Sequence, residues 1–326
     1  MEILVRVGGK GQKAGGCEDN KAGKLSAETS PEPKKVSRQI YNYQLTHKLD
    51  RNPSDNMSSN TRPFQVKSDA HGSTIDVQIG ELPGIVAENL GLATWGAAVV
   101  LADVLYRWTE DIKRIRAEVE DLKMNDISKH IPILELGAGT GLAGLTASAL
   151  WNLPAILTDL SPVVPGIAHN ISLNPYLEAY AGTLDWTSPS TLNVSSSSPG
   201  NDAITLSCEA TKTFILLAAD TIYTSAHAQL IPATTLHWLS HTSQARAIFC
   251  YPLRSSYIEH ARDLWKEMQA SGFVCVEEGR EQAKELWGEI APVPYEWCVW
   301  GWREFHPEAV AREEAEKVDG EGWLAM

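Results

Sequence analysis

Residues Ile133–Gly144 read "ILELGAGTGLAG". A short apolar run leads into three alternating glycines, Gly137, Gly139 and Gly141, and then into small residues. An apolar run of strand length ending in such a turn reads as a buried strand handing over to a helix. Glycine admits positive φ and lets a ligand approach the backbone closely. The N-terminus of the following helix can solvate a carboxylate or a phosphate.

The same alternation continues downstream. "AILTD", "YAGTLDW", "TFILLAAD", "ARAIFCYPLR", "SGFVCVEEG" and "YEWCVWGWRE" read as strands. "TGLAGLTASALW", "SPVVPGIAHNISLN", the stretch from Ala226 to Ser240 and "YIEHARDLWKEMQA" read as helices. Strand–helix alternation predicts an α/β fold, a doubly wound sheet of Rossmann type. The last two strands are joined by a short stretch containing prolines, which predicts an antiparallel excursion at the sheet edge. "TSPSTLNVSSSSPGND" is expected to be a surface loop, since it is longer than a strand–helix connection needs. Upstream, "FQVKS" and "STIDVQIGE" alternate apolar and polar residues around "DAHG" and predict a hairpin. The expected organisation is an arm over 1–40 with disordered composition, an extension with the hairpin over 41–90, the α/β domain over 91–304 and a charged tail over 305–326.

Composition narrows the function classes. The chain of 326 residues carries a formal net charge of −13. A phosphate-backbone binder normally shows a basic footprint, so nucleic acid is not the expected partner. No apolar run is long enough to span a bilayer, so no membrane association is expected, and no leader-like run opens the sequence. These readings place the chain in the cytoplasm, with the nucleus as the alternative. The five cysteines are scattered singly, without metal-site or disulfide spacing. Cys250, Cys275 and Cys298 lie in apolar runs and are expected to be buried thiols. Nothing in the pattern calls for a second copy, and a monomer is the expectation.

In an open α/β sheet, ligands sit at the carboxyl ends of the strands near the switch point. A dinucleotide calls for G-x-G-x-x-G. Here the spacing is Gly137-x-Gly139-x-Gly141, with an acid, Glu135, inside the strand. An acid there suits an ammonium group rather than a pyrophosphate. S-adenosylmethionine carries an ammonium and a sulfonium and no phosphate, so it fits the pattern better than a nicotinamide dinucleotide. The second strand ends at Asp159, where a carboxylate can accept from ribose hydroxyls. The third ends at Asp185 and Trp186, an acid for the adenine amino group and an indole to cover the adenine face. Each residue alone has a plain structural reading: Asp159 as a helix cap, Trp186 as core, the glycines as a tight turn. Together, three successive strand ends offer three parts of one ligand.

"ILELGAGTGLAG", "LTDL", "LDW" and "LAADTIY" resemble the seven-β-strand methyltransferases. Within them the chain resembles methyltransferase family 16, the protein-lysine methyltransferases. "LATWGAAVVLA" is similar to that family's upstream Trp segment and "AADTIY" to its D-x-x-Y motif. "CYPLRSSY" and "YEWCVWGW" are most similar to fungal members acting on elongation factor 2. The resemblance implies a protein substrate, a seven-stranded sheet and S-adenosyl-L-methionine as cofactor. It implies cofactor contacts at Trp95, Glu135, Gly137, Ala138, Gly139, Gly141, Asp159, Leu160, Asp185, Trp186 and Ala219. It places Asp220 and Tyr223 at the lysine channel. Arg254, just after the fifth strand at the carboxyl edge, could touch substrate, though a solvated side chain is the favoured reading. Two alternatives remain open: a small-molecule N-methyltransferase, and a cofactor-binding adaptor without activity. The second is disfavoured because both Asp220 and Tyr223 are present.

Overall fold

The computed structural model describes residues 60–81, 94–113, 130–195, 203–283 and 292–318. The expected arm over 1–40 and the extension as far as residue 59 lie outside the described residues. The hairpin is formed by β1 (Asn60–Lys67) and β2 (Thr74–Glu81), paired antiparallel with Phe64 opposite Val77. Gly72 turns the chain between them at φ +92°. Helix α1 (Gly96–Val104) follows, tightening into a 3-10 turn over Leu105–Trp108.

The α/β sheet begins at β3 (His130–Leu136) and continues through α2 (Leu142–Trp151), β4 (Ala155–Asp159), α3 (Val164–Ser172) and β5 (Ala179–Thr183). Two strands, β6 (Thr191–Val194) and β7 (Ile204–Ser207), precede β8 (Lys212–Ala219). Then come α4 (His227–Trp238), β9 (Arg246–Pro252), α5 (Ile258–Ala270), β10 (Phe273–Gln282) and β11 (Pro294–Trp302). Helix α6 (Pro307–Val318) occupies the charged tail.

The sheet order is β10-β11-β9-β8-β3-β4-β5-β6-β7. From β9 to β5 the strands run parallel, and β11 is antiparallel to both β9 and β10, as its late place in the sequence predicts. The fold is therefore the expected α/β fold with a mostly parallel sheet. Among the described residues, the sheet contains the seven expected strands and an added pair, nine in all. Of the added pair, β6 lies in the segment read as a Ser-rich loop and β7 just after it. Leu192, Val194 and Leu206 are buried, and β6 pairs antiparallel with both β5 and β7. The serine run hid a period-two pattern of only four residues per strand.

Successive residues of the central strands serve opposite faces. Ile215 and Leu217 join the core under α1, α2, α3 and the hairpin, while Leu216 and Ala218 join the core under α4 and α5. In β9, Ile248 and Cys250 face the first core, and Ala247, Phe249 and Tyr251 the second. Burial on both faces explains the unbroken apolarity of these runs. Cys250 and Cys298 are buried as expected, whereas Cys275, beside the irregularity in β10, is only half-buried.

Two buried asparagines fasten the hairpin to this layer. Asn174 accepts the N–H of Gln78 at 2.9 Å and donates to the Gln78 carbonyl at 2.8 Å. Asn170 accepts the N–H of Gly80 at 2.8 Å and donates to the carbonyl of Thr140, in the glycine turn, at 2.9 Å. The side-chain hydroxyl of Thr140 meets that of Thr94, next to Trp95, at 3.0 Å. Asn170→Ala leaves a buried N–H and a buried carbonyl without partners and should cost about 1–3 kcal/mol, read as a lowered denaturation midpoint with an unchanged slope. An unchanged midpoint would mean that water replaces the side chain.

Candidate active site

The sheet order reverses at β3, which has β4 on one side and β8 on the other. The crevice at the carboxyl ends of these strands is the default ligand site of an open α/β sheet. Four predicted segments meet there: the glycine turn after β3, Asp159 after β4, Trp186 after β5, and Asp220–Tyr223 after β8.

Gly137, Gly139 and Gly141 all have positive φ, at 61°, 56° and 81°. A Cβ on Gly137 would lie 3.0 Å from Thr221 Cγ2 and 3.1 Å from the Trp186 ring. Glycine is thus required there by conformation and by space. Four N–H groups in and just after the turn find acceptors within the protein. Ala138 N–H donates to the Thr158 carbonyl at 2.9 Å, and Gly139 N–H to Asp159 Oδ2 at 2.9 Å. Gly141 N–H donates to the Ala138 carbonyl at 2.7 Å, and Gly144 N–H to Glu135 Oε2 at 3.0 Å.

This arrangement tests the ligand class. A pyrophosphate needs free backbone N–H groups or cations. Here carboxylates and carbonyls hold four of the nearby N–H groups, and the acid beside the turn, Asp159, disfavours a phosphate. A cationic ligand without phosphate, such as S-adenosylmethionine, fits better. Its expected holders are the turn itself, Asp159, Trp186 and Ala219, with Trp95 brought near by the Thr94–Thr140 contact. Trp186 lies against Gly137 and Thr221, and its buried Nε1 has no hydrogen-bond partner among the described residues. Leu160 is 54% exposed beside Asp159, and its N–H donates to Asp159 Oδ1 at 2.7 Å. Burial pushes the Asp159 carboxyl up, opposed by its two backbone hydrogen bonds.

Two predicted contacts are placed elsewhere. Glu135 points behind the turn into the protein, buried, and braces the N-terminus of α2 through Gly144. Burial pushes its carboxyl up to about 8, so near neutral pH it is mostly protonated in the protein as described. Asp185 is exposed and turns back on its own loop, accepting from the backbone and hydroxyl of Thr187 at 2.8 and 2.7 Å. Those bonds hold its carboxyl below the usual range. The "LDW" segment supplies its indole to the crevice, while its acid closes a turn.

Asp220 follows Ala219, the last residue of β8, which pairs with Cys250 of β9. Its backbone has φ 53°, a conformation that aspartate tolerates better than most residues. Its N–H donates to the Cys250 carbonyl at 2.9 Å, fixing the bend to β9. The carboxylate is 8% exposed and meets Arg254 Nη1 at 3.4 Å. Arg254 is itself 16% exposed, so it is not the solvated side chain expected from sequence. Tyr223 is 53% exposed. Burial of its hydroxyl, and then the charges of Asp159 and Asp220, push that hydroxyl up, which sets all three groups within electrostatic range. His227 joins the site unannounced by sequence. Its ring stands edge-on to Tyr223, with centroids 4.3 Å apart, and edge-on to Trp186 at 5.5 Å. The one hint was its spacing of four from Tyr223. Burial holds its imidazole below the usual range.

The profile of the lysine methyltransferase family matches residues 84–265, more than half of the 326 residues. The chain belongs to this family. It is 27% identical over 216 residues to the protein-lysine N-methyltransferase EFM2 of Saccharomyces cerevisiae, covering 64% of this chain and 48% of that protein. It is 30% identical over 225 residues to the protein-lysine N-methyltransferase rrg1 of Schizosaccharomyces pombe, covering 67% of this chain and 64% of that protein. The chain thus spans between about half and two-thirds of the length of these curated relatives. Among solved structures, a magnesium protoporphyrin IX methyltransferase from Synechocystis PCC 6803 aligns with a TM-score of 0.40 at 11% identity, over 84% of this chain and 99% of that one.

For a family member, Glu135 makes a clean test. Its folded pKa of about 8 lies above the ordinary 4.5. The folded state therefore holds the proton more tightly, and stability is lost as pH rises between those two values. Glu135→Gln imitates the uncharged acid. Its melting temperature relative to wild type should climb steadily from about pH 5 to about pH 8. A difference independent of pH would show that Glu135 is charged in the folded protein.

Proposed function

We propose that this chain is an S-adenosylmethionine-dependent protein-lysine N-methyltransferase, with Asp220 and Tyr223 at the lysine channel. The observation that carries the reading is Asp220. It is held at positive φ at the end of β8, nearly buried, in electrostatic reach of Tyr223 and across from a glycine turn with an acid beside it. Family membership adds the substrate class. When bound, S-adenosylmethionine supplies an electrophilic methyl group whose transfer leaves the bonding pair on sulfur, so no acid is needed for the leaving group.

The chain's own residues have two tasks: to align the amine and to receive it uncharged. A free lysine is neutral only to about one part in a thousand near pH 7.4, at a cost of roughly 4 kcal/mol. Desolvation in the crevice favours the neutral amine. Asp220 accepts a hydrogen bond from the amine and orients its lone pair, while water takes the departing proton. Tyr223 walls the channel and contacts the nitrogen through its hydroxyl or ring face. Asp159, the glycine turn and Trp186 hold the donor. The exposure of Tyr223 and Leu160 at the rim supports a lysine on a protein surface over a fully enclosed metabolite.

The finer reading is elongation factor 2 as the substrate. Its support is the resemblance of "CYPLRSSY" and "YEWCVWGW" to the fungal members with that target.

The test is a tritiated S-adenosylmethionine assay on a cell lysate and on purified elongation factor 2. Wild type should label one protein band. Asp220→Asn, which keeps a residue suited to positive φ, should lower the rate by about a hundredfold through lost alignment. Tyr223→Phe should cost roughly tenfold, the worth of one hydrogen bond. Label confined to small molecules would instead establish a metabolite methyltransferase. Cofactor binding without any label would establish an inactive binding protein.

A further inference from the structure

The Asp220 carboxylate poses a problem for the chemistry just proposed, on which this inference rests. A carboxylate beside an entering amine stabilises the ammonium form, by one to a few pKa units when close and desolvated. The ammonium has no lone pair to give. An acid placed to orient lysine therefore opposes the deprotonation that methylation requires.

Arg254 stands where it can resolve this. Its Nη1 lies 3.4 Å from Asp220 Oδ1, and both side chains are largely buried. Two short links fix it. Leu253 N–H donates to the Pro294 carbonyl at 2.8 Å, and Tyr257 N–H donates to the Arg254 carbonyl at 2.9 Å. Its guanidinium carbon lies 5.9 Å from the centre of the Tyr257 ring. Guanidinium remains charged throughout the working range. The bend at Asp220 and the turn after β9 are tied together by the bond from Asp220 N–H to the Cys250 carbonyl.

We infer that Arg254 is a positioning residue for methyl transfer: paired with Asp220, it offsets the carboxylate's charge, so that Asp220 can orient the lysine amine without holding it in the ammonium form. The carboxylate keeps its lone pairs for the hydrogen bond, while the pair as a whole carries no net charge. Lysine then enters beside a dipole rather than beside an anion.

Among the described residues, the other charged or titratable groups near the pair include Tyr223, Asp159, Cys250, Tyr257, two imidazoles, and Glu296 and Glu281, whose charges reach Cys250. His227 touches Tyr223, and His260 lies 5.9 Å from the Tyr257 ring. The Asp220 charge adds to the burial that pushes the Cys250 thiol far up, so this thiol stays neutral. His260→Gln serves as the control for imidazole titration.

The experiment measures kcat against pH for wild type, Arg254→Gln, Arg254→Lys and His260→Gln. The acceptor is the protein that the lysate assay labels, elongation factor 2 on the reading above. Melting temperatures confirm that each variant is folded. In wild type, kcat rises with pH as the bound amine deprotonates. Arg254→Gln should move that rise up by about one pH unit. At neutral pH it should lose roughly tenfold in kcat, with recovery at high pH. Arg254→Lys, which keeps the charge, should restore most of the wild-type profile. Without cofactor, Arg254→Gln should bind the acceptor protein more tightly than wild type, because the lysine ammonium then meets Asp220 without the Arg254 charge beside it.

A loss of kcat in Arg254→Gln with the profile unmoved and acceptor affinity unchanged would overturn the inference and leave Arg254 as a packing residue. So would Arg254→Lys failing to rescue while still folded. A wild-type enzyme that labels no protein overturns the lysine reading first, and this inference with it.

Discussion

The hydrogen bond from Gly144 N–H to the buried Glu135 carboxyl is the brace on which the site depends. It joins the end of β3 to the start of α2 from behind, so the three glycines between them must make their turn in a fixed span. Once that turn is fixed, Ala138 leans on β4 and Gly139 collects the Asp159 carboxylate. A Rossmann-type turn usually presents its amides to an anion. This one commits two amides, those of Gly139 and Gly144, to acids, which favours a cationic ligand.

The carboxylates around the crevice occupy different electrostatic settings. Glu135 is sealed off and mostly protonated near neutral pH. Asp159 is held by two backbone donors. Asp220 is met by a guanidinium. Asp185 is out in solvent, serving a turn. Four acids at the ends of four strands, or just after them, thus do four kinds of work, decided by the nearest partner rather than by position in the sequence.

The fold was legible from the sequence because both faces of the central strands are buried, which writes them as unbroken apolar runs. β6 and β7 were not legible. They are four residues long, sit at the edge and bury only one or two side chains each, so their pattern was lost beside the serines. The backbone side of the site was equally readable, since Gly137 admits no other residue in its conformation and its space. Side-chain direction was the limit. Sequence placed Glu135 and Asp185 at the right strand ends but could not say that one faces inward and the other folds back. Arg254 was visible as a residue and misjudged, because a long flexible cation after a strand usually reaches water. Only the bend at Asp220 brings a buried partner to it. His227 gave no sign beyond its spacing from Tyr223, and its contact with Trp186 joins segments about forty residues apart.

Asn170 ties the hairpin to the glycine turn, accepting from Gly80 at one end and donating to Thr140 at the other. Two elements that share one rigid link cannot open independently. Whatever ordering a bound ligand imposes on the turn is transmitted as slower opening of β2, and by thermodynamic reciprocity anything that grips the hairpin tightens the hold on the ligand. Backbone amides of the hairpin, remote from the chemistry, would then report occupancy of the crevice through their hydrogen exchange. The hairpin thereby becomes a handle on the site from outside the α/β layer.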